Sequence, residues 1–400
     1  MWSSDSTSAQ RVLLVEPDYY TRYPPLGLLK LAAYERQKGN EVELVRGGVP
    51  TAKPDRIFVT SLFTYSWRAV YAVIKYYKSQ FPGIDIVLGG IYASLLPDHA
   101  ALSGATEIHV GLVPEIEDIM PAWDLIWPEW DGSVLFASRG CVRKCGFCSV
   151  PKLEGRPQAF KYGIKHLIWP KHSRVILWDN NILGNANWRV ILDELAEIGL
   201  EVDFNQGLDA RLITDEVATK LTLLKIHSLR LAYDYKGVGP YVNRALEMLE
   251  NAGISRRKIV VYTLYNYIDD PENFKTRVEE ILTWGATSYP MRFEPLTSLT
   301  KNAYVSPRWT SEKLQQVAAA RRVMGFSGAF PPYAALVTKF QQSMDFDDAF
   351  KLRKPKSHKP EHPARNHVNP RWNGDLDWRL QKQRESRLGR RSAIPTIRGK

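Results

Sequence analysis

The chain has 400 residues, of which 44% are hydrophobic and 24% charged, and its formal net charge is +11. A chain of this length is too long for a single hydrophobic core, so we predict two packed domains. No run approaches the roughly 20 apolar residues that cross a bilayer, and the polar start MWSSDSTSAQR lacks the layout of a secretory signal. We therefore expect a cytoplasmic protein with reduced cysteines and no membrane partner.

Residues 11–120 alternate short β-branched runs with amphipathic helical segments. The predicted strands are RVLLVEP, EVELVRGG, RIFVTSLF, DIVLGG and EIHVG, and helices such as PLGLLKLAAYERQKG and WRAVYAVIKYYKSQF lie between them. Alternation at this spacing is typical of βαβ units in a parallel sheet. We expect a Rossmann-like domain over 11–120, preceded by ten disordered residues.

Residues 121–133, PAWDLIWPEWDGS, interrupt the alternation and are predicted to be a linker folded against the body. Six further strands follow, nearly all with a helix after them: SVLFAS, RVILWDN, EVDFNQGL, SLRLAYD, KIVVYTLY and SYPMRFEPL. Six βα units are two fewer than a closed barrel of this type contains. The predicted fold class is therefore α/β, with a Rossmann-like parallel sheet followed by a partial (βα)6 barrel over 134–330.

The C-terminal extension, residues 331–400, ends in a basic tail. Residues 351–400 hold 15 of the 54 Lys and Arg but only four of the 43 Asp and Glu, so the first 350 residues carry 39 of each sign. A segment rich in Pro and His and short of aliphatic residues buries too little apolar surface to offset its ordering entropy. We predict a mostly disordered tail with at most a short helix around WRLQKQRESRL. The tail is suited to RNA or DNA contact, although such tails also serve as solubilising ends.

All three cysteines, Cys141, Cys145 and Cys148, lie in CVRKCGFC, directly after the predicted strand SVLFAS. Thiolates are the usual protein ligands of iron-sulfur clusters, and a four-iron cubane with three cysteine ligands keeps one iron open. An alternative is a structural zinc site completed by His166 or His172. Zinc ligands usually come as two separated pairs, which this triplet does not match. The pattern therefore favours a 4Fe-4S cluster.

A CxxxCxxC motif after the first strand of a partial barrel resembles the radical S-adenosylmethionine (SAM) superfamily. The resemblance implies that the open iron binds the amino and carboxylate groups of SAM. Reductive cleavage of SAM would then give a 5′-deoxyadenosyl radical, with the cofactor supplying the difficult chemistry. The resemblance also places Phe147 near the adenine and implies an electron donor such as a flavodoxin or ferredoxin.

Polar residues at the carboxyl ends of the later strands are expected to line the open face of such a barrel. The candidates for contacting SAM are Asp179, Asn181, Gln206 and Asp234. The superfamily's GGE-like motif after the second strand is absent, and Asp179 with Asn181 is the predicted substitute. A capping or turn role explains each of these residues equally well, because Asn and Asp favour strand-to-helix turns. No catalytic residue is assigned.

Residues 11–120 also resemble the cobalamin-binding-like domain that precedes many barrels of this superfamily, through RVLLVEP, PPLGLLKLAAYERQKGNEVEL and DIVLGGIYASLLPDHA. The resemblance implies that Ser61, Leu62, Gly89 and Gly90 flank the cobalamin tail, since glycine lets a ligand approach the backbone. The DxHxxG motif of histidine-ligated cobalamin proteins is absent, because EPDYYTRYPPLG contains Asp18 but no histidine. Two interpretations of the first domain remain open: it binds cobalamin, or it is kept for packing or substrate docking.

These patterns predict a radical SAM enzyme that performs radical C–H chemistry, with methylation favoured if cobalamin is bound. Nucleic acid is favoured as the substrate by a small margin because of the tail, and a small molecule or peptide is the alternative. A competing class is a non-catalytic iron-sulfur protein that binds nucleic acid and uses its cluster as a clasp. The count of three thiols favours the enzyme, because a clasp gains stability from a fourth ligand.

Overall fold

The computed structural model describes residues 8–159 and 163–352. Residues 1–10 were predicted to be disordered, and residues 1–7 of this segment lie outside the described chain. The same holds for the basic tail with its predicted short helix, of which only residues 351 and 352 are described.

The first domain is a five-stranded, all-parallel sheet in the order β2-β1-β3-β4-β5. Its strands are β1 Arg11–Glu16, β2 Glu41–Arg46, β3 Arg56–Ser61, β4 Asp85–Gly90 and β5 Glu107–Ile108. Its helices are α1 Leu26–Gln37, α2 Trp67–Gln80, α3 Ile91–Leu95 and α4 Pro97–Ala101. The strand order reverses between β1 and β3, and ligands of such sheets bind outside the carboxyl ends of the strands at that point.

Helices cover both faces of this sheet, which explains why its central strands are continuously apolar. In β1, Val12 and Leu14 belong to the cluster under α1, whereas Leu13 and Val15 belong to the cluster under α2. All four side chains are at most 1% exposed. The hydrophobic run RVLLVE therefore becomes a central strand and not an amphipathic edge.

The second domain begins at Ser133. Its strands are β6 Ser133–Leu135, β7 Ser138–Arg139, β8 Gln158–Ala159, β9 Arg174–Leu177, β10 Glu201–Phe204, β11 Lys225–Ile226, β12 Leu229–Ala232, β13 Ile259–Tyr265 and β14 Thr287–Arg292. Its helices are α5 Val150–Leu153, α6 Trp188–Ile198, α7 Asp215–Thr222, α8 Gly239–Asn251, α9 Pro271–Thr283, α10 Ser311–Val323, α11 Ala334–Gln342 and α12 Phe346–Phe350.

Six parallel strands form the wall of a partial barrel. One sheet contains β6, β9 and β10 with β11 at its edge, and another has the order β12-β13-β14. A parallel bridge between Leu208 and Leu231 joins the two. The wall therefore runs β6-β9-β10-β12-β13-β14, which confirms the predicted fold class of a Rossmann-like sheet followed by a partial (βα)6 barrel.

The first part of the C-terminal extension packs on the barrel. Phe340 of α11 and Phe346 and Phe350 of α12 are at most 1% exposed and join the cluster that contains Phe274 of α9. Leu352 packs against the same cluster. The folded body therefore extends to the end of the described chain.

A hydrophobic cluster joins the two domains. Trp123, from the segment between the domains, is 1% exposed and packs with Leu26 and Leu29 of α1 and with Val134 and Ile176 of the barrel. None of the helices in the described chain has the length and apolar character that a membrane span requires.

Candidate functional site

The three cysteines lie on one loop at the carboxyl end of β6. The antiparallel pair β7–β8 closes this cysteine loop, with Ser138 opposite Ala159 and Arg139 opposite Gln158. Cys141, Cys145 and Cys148 are free and half-buried. The loop thus presents three thiols at the end of the barrel where βα barrels carry their active sites.

Glu154 fixes both ends of the cysteine loop. Its carboxylate accepts hydrogen bonds from the backbone N–H of Gly140 at 2.8 Å, from Arg139 at 3.2 Å and from Nδ2 of Asn180 at 2.9 Å. Gly140 itself has φ +79°, and a Cβ there would lie 2.2 Å from the carbonyl oxygen of Arg156. Only glycine fits directly before Cys141, because the two sides of the loop approach so closely.

Asp209, in the loop after β10, fixes the middle of the cysteine loop. It accepts hydrogen bonds from Nε of Arg143 at 2.9 Å, Nε of Arg211 at 2.7 Å and Nδ2 of Asn181 at 3.3 Å. Burial raises the pKa of Asp209, but the hydrogen bonds and charges of Arg211 and Arg143 outweigh it and hold that pKa below its usual value. The carboxylate therefore stays ionised and joins three elements of the barrel mouth.

The surroundings of the thiols fit a cationic metal cluster. Cys141 Sγ accepts the backbone N–H of Arg143 at 3.3 Å and Nδ2 of Asn181 at 3.7 Å, while the buried Oδ1 of Asn181 has no partner among the described residues. Burial, and after it the Asp234 carboxylate, raises the pKa of the Cys145 thiol, and burial raises that of Cys148. Thiolates at these positions need positive charge nearby, which bound iron supplies.

The histidines of the zinc alternative have other partners. His166 pairs with Asp118 at 2.6 Å, and Nδ1 of His172 lies 2.9 Å from Ser133 Oγ. The His172 ring also contacts Trp123 edge-on. Within residues 8–159 and 163–352, no three His, Cys, Asp or Glu side chains converge on a single metal ion. Thiolates of a cubane each bind a different iron and do not need to converge in this way.

Two of the predicted SAM contacts have partners within the protein. Asp179 is 3% exposed, and its oxygens accept the backbone N–H of Ala137 at 2.8 Å and the hydroxyl of Ser138 at 2.6 Å. Asp179 therefore holds the strand that leads into the cysteine loop. Asn181 contacts Cys141 and Asp209, as described above. Contact of either residue with SAM stays a prediction.

The other three predicted contacts differ in environment. The ring of Phe147 meets Tyr267 edge-on at 5.6 Å. Asp234 is half-buried at the carboxyl end of β12, where burial raises its pKa to about 6. Gln206 is exposed beyond β10. Phe147 and Asp234 thus lie around the cysteines, whereas Gln206 forms no hydrogen bond with the cysteine loop within the described chain.

The residues predicted to flank cobalamin lie at the carboxyl edge of the first sheet. Ser61 is 2% exposed; its hydroxyl donates to the carbonyl of Gly89 at 2.7 Å and accepts the N–H of Ala93 at 3.2 Å. Leu62 is half-buried directly after it. A Cβ at Gly90 would lie 2.2 Å from the Ser61 carbonyl oxygen, whereas one at Gly89 would make an ordinary 3.7 Å contact with His109. The structure thus gives Gly90 a packing role of its own.

The carboxyl edge of the first sheet faces the barrel mouth. Helix α3, which follows β4, contacts α5, which follows Cys148. After β3, Thr64 donates to the carbonyl of Ser298 at 2.5 Å and Trp67 Nε1 donates to the carbonyl of Leu299 at 3.3 Å. The cysteine loop and the ligand-binding edge of a Rossmann-like sheet therefore bound one cleft.

Asp209, Glu154 and Tyr267 were not predicted to belong to the site. Their partners lie far along the chain, such as Arg143 for Asp209, and a single sequence gives no signal for such pairs. The one available hint was the position of Asp209 in LDAR, after a predicted barrel strand.

The fold is similar to solved structures of the radical SAM methyltransferase TsrM from Kitasatospora setae. The structure with cobalamin and a 4Fe-4S cluster bound matches with a TM-score of 0.55 at 13% identity, over 71% of this chain and 72% of that chain. The structure with its tryptophan substrate and the SAM analogue aza-SAM bound matches with a TM-score of 0.56 at 13% identity, over 78% and 77%. No family model and no curated protein matches the sequence.

At this identity the similarity shows the fold. The chain therefore shares its fold with TsrM over about three quarters of each chain.

Proposed function

We propose that this protein is a radical SAM enzyme that holds a 4Fe-4S cluster through Cys141, Cys145 and Cys148 and methylates its substrate with cobalamin bound to the first domain. The observation that carries the proposal is the place of the CxxxCxxC motif. It lies at the carboxyl end of β6 and faces the carboxyl edge of a sheet with order β2-β1-β3-β4-β5. At these edges, βα barrels carry their active sites and Rossmann-like sheets bind their ligands.

The chain's own residues position the reactants in this scheme. The three thiolates would bind three irons of a cubane and leave the fourth iron open. Glu154 and Asp209 hold the loop, and the vacant Oδ1 of Asn181 offers an acceptor beside Cys141. A reduced 4Fe-4S cluster held by these residues would supply the electron for the cleavage of SAM.

Support for cobalamin comes from the first domain's topology and from the TsrM structure that holds it. The edge at β1 and β3 is the expected ligand position. Gly89 leaves space there because it carries no side chain, with only His109 within 4 Å of a Cβ. Ser61 and Gly90 pack against each other, so we assign them a role in shaping this edge.

Two partners belong to the proposal. The cluster must receive electrons, for which a flavodoxin or ferredoxin is suited. Nucleic acid contact through residues 351–400 rests on their charge alone, since residues 353–400 lie outside the described chain.

The test is anaerobic reconstitution of the full-length protein. We expect about four irons per chain, lost when any of the three cysteines becomes Ala and retained in the neighbouring control Ser149→Ala. Reduced protein given SAM should release 5′-deoxyadenosine, S-adenosylhomocysteine or both, and their ratio separates reductive cleavage from methyl transfer. Zinc in place of iron would refute the proposal. If the protein holds a full cluster but releases neither 5′-deoxyadenosine nor S-adenosylhomocysteine, the result would favour a non-catalytic protein that uses its cluster as a structural clasp.

A further inference from the structure

Four charged side chains, Lys30, Glu117, Arg139 and Glu154, connect the first domain to the cysteine loop; we name them the ionic chain. Lys30 of α1 donates to the backbone carbonyl of Glu117 at 2.6 Å, and its Nζ lies 3.9 Å from Glu117 Oε2. Glu117, in the segment after β5, accepts Nε of Arg139 at 2.7 Å and Nη2 at 3.1 Å. Arg139 Nη1 donates to Glu154 at 3.2 Å. The signs alternate, so the ionic chain is neutral as a whole.

The ionic chain is largely buried. The Lys30 side chain is 2% exposed, and those of the other three residues are 12–15% exposed. Burial lowers the pKa of Lys30 to about 8, and the Glu117 carboxylate opposes this shift, so the amine is charged at neutral pH. A buried ion pair adds little to stability when compared with apolar residues of similar volume, because both charges lose their hydration. Stability alone therefore does not explain four buried charges.

Adhesion of the two domains does not explain these charges either. Leu26 and Leu29 of α1 already pack with Val134 of β6 and with Phe136 directly after it, in one hydrophobic cluster. Hydrophobic packing of this kind is not directional, whereas hydrogen bonds between ions fix the orientation of the groups they join. The contribution of the ionic chain is therefore geometric.

Arg139 is the member of the ionic chain that lies closest to a thiol along the sequence. Its guanidinium carbon lies 3.4 Å from the centroid of the Phe136 ring, and its nitrogens pair with both carboxylates of the ionic chain. A planar guanidinium that stacks on a ring and pairs with two carboxylates is held in one orientation. Only Gly140 separates Arg139 from Cys141. The orientation of Arg139 therefore sets where the chain enters the cysteine loop.

We propose that Lys30 and Glu117 are positioning residues through which helix α1 of the first domain orients Arg139 and so fixes the place of Cys141. Lys30 holds Glu117 by its carbonyl group and its carboxylate, and Glu117 presents both carboxylate oxygens to Arg139. Glu154 is the partner of Arg139 within the barrel, so Glu117 adds a second partner that is anchored outside it. The inference rests on the proposed function, because it gives the first domain a part in building the cluster site.

The decisive variant removes the connection to α1 and keeps the remaining charges balanced. Lys30→Met combined with Glu117→Gln deletes one cation and one anion with little change of volume, and it leaves the pair between Arg139 and Glu154. Either change alone would leave a buried charge without its partner, which destabilises the whole fold. The double variant therefore separates loss of position from loss of folding.

The matched control is Arg36→Met combined with Asp124→Asn. Arg36 also lies on α1, and its Nη1 donates to both carboxylate oxygens of Asp124 at 2.9 Å, in the same segment after β5. Neither residue pairs with the cysteine loop within the described chain. The control thus removes an ion pair between the same two elements and leaves Arg139 in place.

Hydrogen exchange of the metal-free, full-length protein, read by mass spectrometry, measures the order of the cysteine loop without any cofactor. In the double variant, peptides covering residues 138–154 should exchange at least roughly fivefold faster, the lower end of typical coupling between sites. Peptides of α9 should exchange as in the wild type, because only a general loss of stability reaches them. The control variant should leave exchange of the loop unchanged.

A second measurement uses the anaerobically reconstituted protein. SAM is titrated against the reduced cluster and followed by electron paramagnetic resonance. The double variant should require roughly tenfold more SAM, since changes to the residues that orient metal ligands typically cost 10–100-fold in affinity or activity. The control variant should titrate as the wild type does.

Loop exchange that matches the wild type, or that accelerates equally in both variants, would overturn the inference. So would faster exchange throughout the protein, which would show that Lys30 and Glu117 only stabilise the fold. The exchange measurement needs no metal, so it decides the positioning role even if the wild type takes up zinc and the proposed function fails. A wild type that cleaves SAM, together with an unchanged loop in the double variant, refutes the positioning role alone.

Discussion

Arg143, in the middle of the cysteine loop, donates a hydrogen bond to the buried carboxylate of Asp209 at 2.9 Å across 66 positions of sequence. The same carboxylate accepts from Asn181, whose amide also donates to Cys141 Sγ. Asp209 therefore fixes both Arg143 and Asn181, the two residues whose N–H groups contact Cys141 Sγ.

Asp209→Asn should loosen the cysteine loop. The variant keeps one acceptor but removes the charge that pairs with Arg143 and Arg211, and hydrogen bonds to charged groups contribute about 1.5–3 kcal/mol. We expect a lower free energy of unfolding and a several-fold faster loss of iron to a chelator, followed by visible absorption. The matched control is Asp203→Asn, which breaks the pair between Asp203 of β10 and Arg230 of β12 but touches no part of the loop. Equal iron loss in both variants would contradict the positioning role of Asp209.

Gly140→Ala should prevent cluster assembly. Its Cβ would meet the carbonyl oxygen of Arg156 at 2.2 Å, which forces the two sides of the loop apart. Gly155→Ala is the control, because Gly155 also has positive φ, at +73°, but nothing lies within 4 Å of its Cβ. The left-handed conformation alone costs roughly 1–2 kcal/mol in each variant. Iron content after reconstitution should fall far more for Gly140→Ala, and similar content in both would argue against the steric explanation.

Asp179 should make stability depend on pH. Burial raises its pKa to about 6 in the folded protein, above the value near 3.9 of an exposed Asp. Its stabilising contribution is therefore complete below about pH 4 and is lost as pH rises through about 6, by about 2–3 kcal/mol. Urea unfolding of the metal-free protein at several pH values measures this. Relative to the wild type, Asp179→Asn should gain stability between pH 4 and 7, and parallel pH profiles would show that Asp179 does not titrate as described.

Gly89 offers a test of cobalamin binding that Gly90 does not. Gly90→Ala should destabilise the first domain whether or not cobalamin binds, because its Cβ would clash with Ser61. At Gly89 a methyl group makes only an ordinary contact, so Gly89→Ala should retain cobalamin and Gly89→Leu should lose it without a lower melting temperature. Bound cobalamin should give a base-off spectrum, since residues 16–27 contain no histidine. If the wild type does not retain cobalamin, the domain serves packing or docking.

The sequence predicted the strands and helices because their burial is periodic. RVLLVE is buried after its first residue, IVVYTLY alternates between buried and half-buried residues before it becomes fully buried, and the helices between strands carry one apolar face. The strand pair β7–β8 could not be found in this way, because each strand has two residues and its partner lies beyond the cysteines. The bridge between Leu208 and Leu231 likewise depends on how two sheets meet.

For the site, the sequence located the cysteines because their spacing carries the chemistry. It assigned Asp179 to the cofactor because polar residues after barrel strands are expected to line the open face. The structure adds that this carboxylate accepts hydrogen bonds from Ala137 and Ser138, and its contact with SAM stays a prediction. The spacing of Gly89 and Gly90 gave no sign that one is open and the other packed, since that difference arises from the carbonyl of Ser61. Groups that depend on long-range pairing were therefore the ones missed.

The last prediction concerns the basic tail. Because Phe350 and Leu352 pack on the core, the deletion begins at residue 353. The shortened protein should keep its melting temperature, its iron content and its basal SAM cleavage. If the tail contacts nucleic acid, single-stranded RNA should bind the full-length protein with an affinity that falls steeply as salt rises, because neutralised phosphates release counterions. The shortened protein should bind more weakly and with a flatter salt dependence. Identical affinity of both forms at low salt would show that the tail is not a nucleic-acid arm, and would leave the charge-balanced body and its cleft as the determinants of substrate choice.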